Sequence, residues 1–125
     1  MEFFEETNQT NIDVLGLQEL LTISNLPDLC SSITNVIYDN KINGSIYCLW
    51  GEFEINREEL KYGVRFSMPN CPNALTWTIT TDSGGILTIH CTINKKMHDQ
   101  DFIDSIKEFT SNWKTGLNRS ISENT

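Results

Sequence analysis

Four cysteines, two histidines and a group of four glutamates are the side chains of this sequence with the most chemical potential. The cysteines stand at positions 30, 48, 71 and 91, with separations of 18, 23 and 20 residues. A zinc site draws on cysteines two to four residues apart, or on histidines three or four apart along a helix, and neither spacing occurs. His90 and Cys91 are neighbours in a strand-like run, so they point to opposite faces and cannot share one ion. No metal and no cofactor is expected.

A cysteine nucleophile wants a histidine within hydrogen-bond reach and a cationic or helix-terminal setting. Cys71, in the connector between Pro69 and Pro72, is the candidate, and a thiol held in a tight loop is the simpler account of it. Cys48 and Cys91 lie in apolar runs, where free cysteine behaves as a small hydrophobe. The opening residues Met1-Glu2-Phe3-Phe4-Glu5-Glu6 place acids where a secretory signal has a basic start and then an apolar stretch. Reduced thiols in a cytosolic protein are therefore the expectation. No glycine-rich loop follows a strand and opens a helix, so nucleotide binding has no support.

Glu52, Glu54, Glu58 and Glu59 fall close together at one strand end and the following loop, with Arg57 among them. Paired carboxylates serve acid–base chemistry when one is buried enough to stay protonated near neutrality. Exposed carboxylates instead form a negative patch that steers a basic partner. The second reading is preferred. It agrees with the overall charge of −8, which is uneven: residues 1–60 hold 11 acids and two bases, and residues 61–125 hold six acids and seven bases. Such a chain is poorly suited to nucleic acid or to an anionic membrane surface, both of which need a basic face. No apolar run approaches the roughly 20 residues of a membrane helix. A second candidate surface is the polar, nearly uncharged face formed by Thr76, Thr78, Thr80, Thr88, His90 and Thr92, with Arg65 and Ser67 alongside.

The elements that must position these residues are legible as periodicities. Leu75, Trp77 and Ile79 alternate with threonines, Asp82-Ser83-Gly84-Gly85 turns the chain, and Leu87, Ile89, Cys91 and Ile93 alternate again. This predicts a β-hairpin with one buried face. Val64, Phe66 and Met68 predict another strand, as does Ile33 to Tyr38. Asn43-Gly44 is read as a hairpin turn. Ser45 to Ile55 is read as one long strand with a bulge at Gly51, and Asn56 to Lys61 as a loop or single helical turn. Val14, Leu17, Leu20 and Leu21 recur at helical spacing after the capping residues Thr10 and Asn11, predicting a helix over 11–22. Phe102, Ile103, Ile106, Phe109, Trp113 and Leu117 form a C-terminal helical stripe that begins at Asp99 and stops at Gly116.

The expectation is one α+β domain spanning 1–125, with residues 1–10 and 118–125 loosely ordered. About five antiparallel strands form a meander, and an N-terminal and a C-terminal helix cover one face. The expected use is a non-catalytic module that binds and neutralises a basic protein, such as an immunity protein against a bacterial nuclease toxin. The alternatives are a secretion or assembly chaperone, and a small-molecule-binding domain or enzyme with its site between sheet and helix.

Overall fold

Apolar side chains at every second position, from Gly63 to Thr92, have one stable solution: a sheet with one face covered. The computed structural model describes residues 1–94 and 98–123 and shows that sheet with seven strands rather than five. In chain order the elements are β1 (Glu2–Glu6), α1 (Val14–Leu20), a 3-10 turn (Ile23–Asn25), α2 (Leu26–Leu29), β2 (Ile33–Asp39), β3 (Asn43–Cys48), β4 (Gly51–Leu60), β5 (Gly63–Ser67), β6 (Thr76–Thr81), β7 (Leu87–Thr92) and α3 (Gln100–Glu123). All neighbours pair antiparallel in the order β1-β7-β6-β5-β4-β3-β2. Strands β2 to β7 are a meander, and β1 returns to close the free side of β7.

The hairpin expected around Asp82 to Gly85 is β6–β7. Asp82 Oδ1 accepts the backbone N–H groups of Gly84 and Ile86 and shapes the turn. Trp77, Ile79, Leu87, Ile89 and Cys91 all point inward and are fully buried. Helix α3 lays Ile106, Phe109, Trp113, Leu117 and Ile121 onto this face. Phe109 meets Trp77 edge-on at 5.0 Å between ring centroids, and Phe66 stacks between Trp77 at 5.5 Å and Trp113 at 6.1 Å. Four large rings thus fill the space between sheet and helix. Offset and edge-on contacts of this kind add about 0.5–1.5 kcal/mol per pair beyond the buried area.

Several expectations change. The run from Ser45 to Ile55 is two strands, β3 and β4, because Leu49 and Trp50 make a two-residue turn and Cys48 pairs with Gly51. Gly51 has φ +116, a conformation costly for any residue with a Cβ, so it closes this turn rather than forming a bulge. The reversal also explains why the apolar phase switches there: Tyr47 faces solvent, whereas Ile46, Cys48, Phe53 and Ile55 face the core. Residues 56–60, expected as a loop, continue β4, held by pairing with β5. The turn expected at Asn43-Gly44 lies earlier, with the positive φ on Lys41, and Gly44 is a strand residue pressed against the Tyr38 carbonyl.

At the chain's two ends, order extends further than the sequence suggests. Glu2–Glu6, expected as a loosely held lead-in, is paired along its whole length with β7. Helix α1 is shorter than expected and is capped by Asp13, which accepts the Gly16 N–H at 2.7 Å, in place of Thr10 or Asn11. Helix α3 runs through Gly116 to Glu123, so Asn118 to Glu123 are helical, while 124–125 lie outside the described residues. Gly116 is not a stop signal. A Cβ there would sit 1.9 Å from the Leu29 carbonyl oxygen, so the glycine marks where α3 crosses against α2.

Candidate functional site

Among the described residues nothing covers the sheet face opposite the helices, and its surface follows from the strand register. One cross-strand row runs Glu58, Arg65, Thr78, His90 and Phe4, through the pairs Glu58 with Arg65, Arg65 with Thr78, Thr78 with His90, and His90 with Phe4. A parallel row runs Asn43, Asn56, Ser67, Thr76, Thr92 and Glu2. Apart from Phe4 and Glu2, which end the two rows on β1, these residues line a concavity of about 790 Å³ whose walls come from β3 to β7 and from Ile42 in the β2–β3 turn. Thr80, opposite Thr88, continues the same face beyond the concavity. The six residues expected to form a polar face do share one face, with Arg65 and Ser67 beside them.

Most of this floor is uncommitted. Thr92 Oγ1 donates to the Thr76 carbonyl and Thr76 Oγ1 to that of Ala74. The side chains of Asn43, Asn56, Ser67 and Thr78, by contrast, make no hydrogen bond to another described residue. Arg65 Nη1 donates to Glu58 Oε1 at 3.1 Å, and both side chains are about half exposed or more, at 49% and 62%. At the other end of the row the His90 ring lies parallel to that of Phe4, with centroids 4.2 Å apart, and its Nε2 is 3.0 Å from Glu2 Oε1. Strand β1 therefore supplies both the stacking surface and the carboxylate that orient the imidazole. Sequence reasoning missed Phe4 and Glu2 because five residues with three acids resemble a solvated tail. No period-two signal marks this strand, since Phe3 shares its face with Glu5 and Phe4 shares its face with Glu2 and Glu6.

The four acids expected as a patch are only partly brought together. Glu52, Glu54 and Glu58 share the uncovered face. Because 56–60 is strand, Glu58 stands about 20 Å from Glu52 along β4, at about 3.3 Å per residue. Glu59 points to the helix side, where it pairs with Arg57 at 3.2 Å. Glu58 is paired with Arg65. A compact group of four free carboxylates does not form. What does form is a wider arrangement: Glu2 and Glu6 lie on β1 beyond β7, Glu52 and Glu54 lie on β4 past the end of its pairing with β5, and Glu58 stands inside the floor beside Arg65. Tyr38, Tyr47 and Phe4 stand exposed around it.

The cysteines divide by burial. Cys30 and Cys91 are fully buried, and removal from water pushes their thiols up to about 12, with hydrogen bonds from Ser32 and Thr110 opposing the shift. Burial also raises Cys48. All four thiols are free, and Cys71, the candidate nucleophile, is half-buried in its connector. Among the described residues no three His, Cys, Asp or Glu side chains come together as a metal site, and no helix is long and apolar enough to cross a membrane.

No protein-family model matches the chain, and no curated protein matches it. Among solved structures, the crystal structure of an uncharacterized protein from Bacillus thuringiensis is similar, with a TM-score of 0.65 over 97% of each chain and 15% identity. At that identity the likeness concerns the fold alone.

Proposed function

We propose that this is a non-catalytic protein-binding module that docks a basic protein on the uncovered sheet face. One observation carries the reading: the open face is a concave surface with four carboxylates, Glu2, Glu6, Glu52 and Glu54, beyond its floor, and the floor's exposed guanidinium, Arg65, pairs with Glu58. Negative margins around a firm, polar platform suit recognition of a partner with basic flanks, raising the encounter rate and fixing orientation more than adding raw affinity. The seven-stranded scaffold with its filled core offers a surface that need not reorganise, which lowers the entropic cost of association. The concrete form is a cytoplasmic immunity protein that neutralises a nuclease toxin. Such a toxin carries a basic surface for its own substrate, and an acidic concave face would cover it. The space between sheet and α3 is filled by Phe66, Trp77, Phe109 and Trp113, which favours the open face over that interior as the place where a partner docks.

The test is capture from a lysate of the source organism at low salt, with wild-type protein and with Glu6, Glu52 and Glu54 all changed to lysine. The reading expects a basic protein retained by the wild type and lost or strongly reduced with the variant. Retention of only neutral or acidic proteins, or equal retention by both forms, overturns it.

A further inference from the structure

The floor of the concavity has a polarity opposite to its margins. Its lining holds Arg57, Arg65, His90 and a single carboxylate, Glu58, in a protein whose net charge is −8. The Arg57 guanidinium is engaged on the helix side by the carbonyls of Leu21 and Gln18 and by Glu59. Arg65 and His90 remain, on either side of Thr78 in one row and about 10 Å apart across two strand spacings. We propose that this floor is an oxyanion-binding site, in which Arg65 receives a carboxylate or phosphate group, with Ser67, Thr78 and Asn56 around it.

Three features carry this. Among the described residues only Nη1 of Arg65 has a partner, so the rest of its planar fork of donors can meet two oxygens at once. That one partner is held weakly, because an ion pair this exposed competes poorly with water, so Glu58 yields to a bidentate oxyanion at little cost. Around the fork stand uncharged side chains that make no hydrogen bond to another described residue. Thr78 lies directly opposite Arg65, Ser67 is its same-face neighbour on β5, and Asn56 lies opposite Ser67. Their hydroxyl and amide donors complete a shell without adding charge. On the far side of Thr78, His90 Nε2 lies 3.0 Å from Glu2 Oε1 and Phe4 covers one ring face, so the imidazole marks the edge of the site. The inference stands on the floor and not on the acidic margins, so it can fail while the partner reading survives.

The experiment is NMR titration of the full chain with inorganic phosphate and, separately, with acetate, at ionic strength held constant with sodium chloride. The expected result is saturable shifts at Arg65, Ser67, Thr78 and His90. Tighter binding of acetate names a side-chain carboxylate as the natural source, and tighter binding of phosphate names a phosphoryl group; either upholds the site. Arg65→Gln should weaken binding by about tenfold or more through loss of a charge-assisted pair of hydrogen bonds. Thr78→Val, which keeps shape and removes one donor, should weaken it severalfold. Glu52→Lys with Glu54→Lys should leave it intact or tighten it. No saturable shift with either anion, or shifts undiminished in Arg65→Gln, overturns the proposal.

Discussion

Arg57 Nε donates to the backbone carbonyl of Leu21 at 2.6 Å, so a cation from the middle of β4 closes the end of a helix 36 residues earlier. Its Nη2 takes the Gln18 carbonyl at 2.8 Å, and the side chain is only 11% exposed. Helix α1 has no basic residue in its own last turn, and its terminal carbonyls would otherwise lack a charged partner. Arg57→Gln should therefore destabilise the fold by about 2–3 kcal/mol, the scale of hydrogen bonds to a charged group. Arg57→Lys should recover less than half, since a point charge cannot serve two carbonyls at once. Urea unfolding checks this; a loss below about 0.5 kcal/mol, the level of an ordinary surface change, would refute the capping role.

Gly116 gives a prediction that runs against helix propensity. Alanine in an exposed helix interior gains about 1 kcal/mol over glycine. Here the added methyl would meet the Leu29 carbonyl at 1.9 Å, and backbone cannot swing aside as a long side chain can. Gly116→Ala should be destabilising by about 1–3 kcal/mol as α2 and α3 are forced apart. A thermal midpoint equal to or above wild type would show that the two helices separate freely.

These two residues also show what was legible. Strand and helix type could be read wherever a pattern repeated over five or more positions, as in Leu75 to Ile79, Leu87 to Ile93 and Phe102 to Leu117. The helix-capping role of Arg57 and the close approach at Gly116 are contacts between segments distant in the chain, and local periodicity carries no trace of them. The strand count was missed for a related reason. A two-residue turn inside Ser45 to Ile55 looks like continued β-structure in one dimension, and only pairing reveals the reversal. For the site, the threonine face was legible because alternation places it. The acidic group was misjudged because proximity in sequence between Glu58 and Glu59 becomes opposition in a strand.

The buried thiols set an alkaline limit. Cys30 and Cys91 are held up to about 12 in the folded chain, against a value of 9.0 for a solvated cysteine. The unfolded chain therefore gives up these protons first as pH rises. Stability is unaffected below about pH 9 and is lost as pH climbs from 9 toward 12, by up to about 1.4 kcal/mol per unit per thiol. Denaturant midpoints measured between pH 7 and 10.5 should fall more steeply for wild type than for Cys91→Ala, even though the variant starts lower because of its cavity. Parallel curves would contradict the assignment. In the native state at pH 8, a thiol reagent should find Cys71 first, with Cys30 and Cys91 reacting only after denaturant is added.

Arg65→Gln separates the two uses argued for the concave face, because they demand opposite signs from one variant. The Arg65–Glu58 pair is exposed at both ends, so its loss should change stability by no more than about 1 kcal/mol, and the folded surface stays comparable. Removing the guanidinium strips the floor of its main anion receptor, and phosphate or acetate binding should fall. The same change frees Glu58 and makes the face more negative, so association with a basic partner steered by the margins should quicken at low salt and lose that advantage as salt is added. A basic partner that instead binds Arg65→Gln more weakly would place its own carboxylate on Arg65, and the floor would then be the heart of the protein interface. Association rates for wild type and variant at two salt concentrations, beside the anion titration, are enough to decide between these outcomes.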